Sequence, residues 1–142
     1  MSLISRYLAS AAVVALGAVP AARAQTALAG VANDAAAAWL AHDATALVGR
    51  SHALVLQIPG ADPSAALGRA QATELLRRHF QSAAERRVNV AATREVEAGR
   101  GVVELDRHYV VRGTTDERRE TVFLGFRLVQ TQWILSEVRI AP

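Results

Sequence analysis

The densest chemistry in this 142-residue chain lies in four adjacent residues, Asp106, Arg107, His108 and Tyr109. An acid, a base and a phenol within four residues suggest proton transfer. They sit inside an alternating apolar run (VVELDRHYVV), which reads as a β-strand, and neighbours on a strand point to opposite faces. Arg107 and Tyr109 therefore share a face with Val103 and Leu105, whereas Asp106 and His108 point the other way, to the polar outside. A general base must come within hydrogen-bond reach of its substrate, so the outward pair is expected to be polar surface and no residue is assigned a catalytic role. An inward arginine needs a partner, because buried charge is costly alone. Two readings follow. Arg107 either lays its stem on the core and reaches solvent or a carboxylate, or it lines a pocket with Tyr109 and binds an anionic or polar ligand. Trp39 and His79, on the inward stripes of two helices, complete a candidate pocket of Trp39, His79, Arg107 and Tyr109. Trp39 is expected to be core with its indole N–H bonded, and His79 to be either a core histidine or a pocket residue.

Other chemistries lack their signatures. The four histidines, at 42, 52, 79 and 108, show no metal-ligand spacing, and there is no cysteine. There is no G-x-S-x-G nucleophile turn and no glycine-rich phosphate loop, so no metal and no cofactor are expected. Ser51 beside His52 is a sequence neighbour and no more.

The elements that must position these residues run helices first and strands last, the order of an α+β domain. The first helix is expected over 26–41, capped by Thr26, with Leu28, Val31, Ala35, Ala38, Trp39 and His42 on one stripe. Asp43 caps a short helix over 44–48, stopped by Gly49. Residues 52–60 read as a strand with Leu54, Leu56 and Ile58 inward, ended by Pro59-Gly60. A third helix follows over 69–83, burying Ala72, Leu75, Leu76, His79 and Phe80. Four antiparallel strands are expected over 86–97, 101–112, 119–129 and 133–140. A three-residue loop at 130–132 sets Val122 against Ile140, Leu124 against Val138, Phe126 against Ser136 and Leu128 against Ile134. A loop at 113–118 sets Tyr109 against Val122, and an Ala98-Gly99 turn sets Val88 against Tyr109, which turns Val88, Val90, Ala92 and Arg94 inward. Val111 also falls on the apolar face. The outer face carries Glu104 opposite Arg127, with Glu137, Arg139, Phe123 and Leu135 nearby.

At the N-terminus Arg6, an apolar run over 8–19 and Ala22-Arg23-Ala24 have the three parts of a secretory signal peptide, with cleavage expected after Ala24. The run is too short to span a bilayer, so no membrane span is expected after cleavage. Residues 25–142 form one domain, exported to the periplasm or the medium. All 16 basic residues are arginine; Arg6 and Arg23 leave with the signal, so 14 arginines face 13 acids, a net charge of +1. Acids and arginines alternate, which argues against a nucleic-acid partner.

The element order, with LVLQIPG (54–60), GRAQATELLRRHF (68–80) and WILSEVRI (133–140), resembles the nuclear transport factor 2-like superfamily. Within it, the chain is similar to a family of short exported bacterial domains of unknown function. The resemblance implies a cone in which helices close over a curved antiparallel sheet. It also implies a possible homodimer through the outer sheet face. The superfamily hosts isomerases, dehydratases, scaffold subunits and ligand binders, so fold alone does not choose among them. The expected function is a non-enzymatic binding or interaction domain with a small, mostly apolar cavity and an unknown small ligand or protein partner. The alternatives are an isomerase- or dehydratase-type enzyme using Tyr109, Arg107 and His79, and an accessory subunit of an envelope complex.

Overall fold

A computed structural model describes the backbone of residues 19–142 and the side chains from residue 27 onward. The expected signal peptide, residues 1–24, lies for the most part outside the described residues. The order of elements is α1 (Val19–Leu40), α2 (Ala44–Val48), β1 (Val55–Gln57), α3 (Arg69–Phe80), β2 (Ala83–Glu97), β3 (Arg100–Val111), β4 (Glu117–Val129) and β5 (Gln132–Ala141). The strands form one sheet in the order β1-β5-β4-β3-β2, with β1 parallel to β5 and every other pair antiparallel.

The helices form where their apolar stripes need a sheet to cover. In α1, Leu28, Ala32, Ala35, Ala36, Ala38 and Trp39 are buried, the i, i+3, i+4 spacing of one face. The helix begins at Val19, so Thr26 lies inside it and does not cap it. The alanine-rich segment around it has high helix propensity, and a proline in the first turn costs no hydrogen bond. Asp43 caps α2 as expected, its Oδ1 accepting from the Ala46 N–H at 3.0 Å. The helix α3 stops at Phe80, three residues short of expectation, because Ala83, Ala84 and Glu85 pair with the end of β3. Leu75 and Ile58, both expected inside, are 36% and 41% exposed. Strand β1 is only three residues long, so the alternation that buries Leu54 and Leu56 does not extend to Ile58.

The sheet curves through bulges, and the bulges correct the expected registers. Val122↔Ile140 and Leu124↔Val138 pair as anticipated, but beyond Gly125 the partners are Phe126↔Leu135 and Leu128↔Trp133. Ser136 is the extra residue, its hydroxyl donating to the Gly125 carbonyl at 3.1 Å, and the turn is two residues, Gln130-Thr131. One extra residue flips every later side chain. Trp133 and Leu135 are therefore buried where Ile134 was expected, and Leu135 is 3% exposed, so it is no outer-face contact. A Cβ on Gly125 would stand 3.2 Å from the Glu137 Cβ, which is why the bulge crosses a glycine.

Strand β3 pairs with β4 four residues away from the expected register: Leu105 lies opposite Val122, Arg107 opposite Glu120 and Glu104 opposite Phe123. A slip by an even number keeps both faces. Val103, Leu105, Arg107 and Tyr109 are thus inward as expected, while Asp106 and His108 are outward; at the strand's end Val110, not Val111, is buried. The Ala98-Gly99 turn forms, but β2 carries three bulges, at Arg86, Ala91 and Val96. They bring Glu85 opposite Tyr109, Val88 opposite Arg107 and Thr93 opposite Val103. They also turn Arg94 outward, where it pairs with Glu104 at 3.5 Å. Such bulges bend an edge strand and blunt its open side.

Gly101, at the start of β3, is where α1 presses on the sheet. A Cβ there would meet the Leu28 side chain at 2.7 Å, and Leu28 is fully buried. Gly101→Ala is expected to destabilise the fold by about 1–3 kcal/mol through overpacking, read as a lower urea midpoint with an unchanged slope.

Candidate functional site

The core of the site is Arg107, fully inward on β3 and 1% exposed. Its Nε–H donates to both oxygens of Glu85, at 2.9 and 3.0 Å, and Nη2 also donates to Glu85 Oε1. On its other side Nη1 donates to Glu120 Oε2 at 2.8 Å. The two carboxylate side chains are 3% and 10% exposed. The second oxygen of Glu120 accepts the Tyr109 hydroxyl at 2.9 Å, and Glu85 Oε1 lies 3.1 Å from His42 Nε2. Aromatic faces enclose the guanidinium: its central carbon lies 4.0 Å from the Tyr109 ring centre and 5.4 Å from that of Trp39. Cation–π attraction of this kind strengthens when water is excluded.

The four candidate residues therefore do come together. Trp39 is fully buried, edge-on to Phe80 at 5.0 Å and to His79 at 6.4 Å. Its indole N–H, expected to be bonded, meets no acceptor among the described residues. His79 Nε2 lies 3.5 Å from Arg107 Nη1. His42, just past the end of α1 with φ of 55°, stacks on Phe80 at 4.9 Å. The sequence reading missed Glu85 and Glu120. Under the expected register Glu120 faced Val111, and Glu85 lay outside any strand. The available signal was Glu120's parity: it shares a face with Val122 and Leu124, so an inward arginine on β3 calls for the slip that joins them.

Burial lowers the His79 pKa from 6.5, and the positive charge of Arg107 lowers it further. Burial and the bond to the Glu120 carboxylate push the Tyr109 phenol above 10.0. The imidazole of His79 is therefore neutral at pH 7, with its Nε2 turned toward Arg107. As pH falls the unfolded chain takes up this proton first, so stability is complete above pH 6.5 and is lost as pH falls through the lowered folded value. The thermal midpoint should fall in that window, and His79→Gln should flatten the slope.

His79 and Tyr109 open on different grooves. His79 lines an apolar groove of about 460 Å³ with Leu56, Ile58, Ala61, Leu75 and Arg78. Tyr109 lines one of about 420 Å³ with Arg86, His108, Glu117, Arg118 and Arg119. The two have no lining residue in common, and Arg107 touches both His79 and Tyr109. Ser51 is fully buried, its hydroxyl directed at the carbonyls of Val48 and Leu135. Among the described residues no group of acids and histidines is arranged to hold a metal.

The sequence matches no family model and no curated protein. Solved structures do match in fold. A DUF4783 family protein from Bacteroides uniformis is 15% identical with a TM-score of 0.65, over 77% of this chain and 94% of that one. A ketosteroid isomerase-like protein from Erwinia carotovora atroseptica is 14% identical with a TM-score of 0.66, over 82% and 93%. A third, from Catenulispora acidiphila, has a ketosteroid isomerase-like fold and was solved in complex with trimethylamine; it is 12% identical with a TM-score of 0.60, over 79% and 84%. Helices over a curved, mostly antiparallel sheet, together with these neighbours, define a nuclear transport factor 2-like α+β fold. At these identities the likeness concerns the fold alone.

Proposed function

We propose that this chain is an exported, non-enzymatic binding and interaction domain whose interior is closed by its own ions. The observation that carries this is the separation of His79 from Tyr109 by Arg107, which two glutamates already hold. A substrate polarised by Tyr109 would lie in a groove that His79 does not line, and a general base must come within hydrogen-bond reach of the proton it takes. The signal-like N-terminus supports export, and among the described residues no helix is long and apolar enough to cross a membrane. The outer face, where Arg139 stacks on Phe123 at 4.3 Å beside exposed Glu137, is the surface proposed for a second copy.

Two measurements test the reading. Sedimentation of the wild type should show a dimer that Glu137→Arg weakens; a monomer at high concentration defeats the homodimer. A β,γ-unsaturated ketone should isomerise no faster with the protein than in buffer. Acceleration lost in both His79→Gln and Tyr109→Phe would replace the binding domain with an isomerase. That second reading draws on one observation, a neutral histidine with a lowered pKa beside an apolar groove.

A further inference from the structure

The groove outside Tyr109 gathers positive charge that the fold does not use. Arg86 is the bulged residue of β2, and Arg87, His108 and Arg119 follow as one cross-strand row over β2, β3 and β4. Arg87 Nη2 lies 3.2 Å from His108 Nε2, and Arg119 Nε lies 3.0 Å from the same nitrogen. A neutral imidazole nitrogen has one lone pair and can accept from only one of them, and Asp106 Oδ2, 3.2 Å away, competes for the ring. Arg118 is taken by Asp116 at 2.8 Å. By contrast Arg86, Arg87 and Arg119 pair with no carboxylate among the described residues. On α3, by comparison, a single acid, Glu74, holds both Arg77 and Arg78. Arg87 and Arg119 both lean on one imidazole rather than on a carboxylate, so an anion in the groove would supply the counter-charge they lack.

We propose that the groove lined by Arg86, His108 and Arg119, with Arg118 and the acid Glu117 also at its wall and Arg87 beside His108 in the adjoining row, binds a phosphate group. Guanidinium forks match phosphate oxygens in pairs, and the groove, of about 420 Å³, accommodates a phosphoryl group with part of what it is attached to. The inference rests on the reading of the chain as a binding domain and names the chemistry of one ligand. The phosphate belongs either to a soluble phosphorylated compound or to a lipid headgroup.

Calorimetry in low-salt, phosphate-free buffer separates the two, with inorganic pyrophosphate and phosphatidylglycerol vesicles as probes and phosphatidylcholine vesicles as the control. Arg87→Gln with Arg119→Gln should weaken binding roughly tenfold or more, without lowering the thermal midpoint, since both side chains are exposed. The pair Arg77→Gln and Arg78→Gln removes the same charge from α3 and should change it by less than about twofold. Pyrophosphate binding supports a soluble ligand, and binding to the anionic vesicles alone supports a lipid headgroup. No binding of either probe, or an equal loss in the α3 control, overturns the proposal. Neither result bears on the isomerase assay, so this site can fail while the binding domain stands.

Discussion

Replacing Arg107 by methionine is expected to destabilise the protein by about 3–5 kcal/mol, because it leaves two buried carboxylates facing each other without their common counter-charge. The charge-free triple, Arg107→Met with Glu85→Leu and Glu120→Leu, should recover most of that loss. Taking three ions out of water costs several kcal/mol apiece, and well-packed apolar residues of similar volume often match or exceed a buried ion network in stability. The Tyr109 hydroxyl and His42 lose their acceptors in the triple, which offsets part of the gain. Urea denaturation of wild type, single and triple variants checks the order: wild type and triple close together, the single variant far below. A single variant as stable as wild type would mean that water already reaches the carboxylates.

Trp39→Ala should cost about as much, roughly 3–5 kcal/mol, by a different route. Trp39 is fully buried against Phe80 and beneath the Arg107 guanidinium. Truncation opens a cavity under α1 and removes one of the two aromatic faces that balance the buried charge. Trp39→Phe should cost much less, since it keeps a ring against Phe80 and removes an indole N–H that meets no acceptor among the described residues. Thermal melts of both variants separate the two contributions. If phenylalanine costs as much as alanine, the indole N–H is bonded and the account of Trp39 fails.

The sequence made the inward and outward faces of β3 legible because alternation has a period of two, and a slip of four residues leaves it intact. It made α2 legible because Asp43 and Gly49 punctuate both ends. It did not reveal the bulges, because an inserted residue such as Ser136 or Arg86 looks the same in the chain as a paired one. That single gap accounts for Leu135, Ile134 and Arg94 being placed on the wrong faces. It also hid the partners of Arg107, which the bulge at Arg86 and the slip to Glu120 supply. The four candidate residues lie near one another, but the acids that hold Arg107 among them were not legible.

The reading of the interior is tested most directly by the arginine Nε–H signals in ¹⁵N nuclear magnetic resonance of the ligand-free protein. Arg107, almost without solvent exposure and bonded through Nε to Glu85, should give one signal that exchanges with water far more slowly than those of exposed arginines such as Arg77 and Arg94. If every arginine exchanges at the same fast rate, water enters the cone, Glu85 and Glu120 are free to act on a substrate, and the closed interior is refuted.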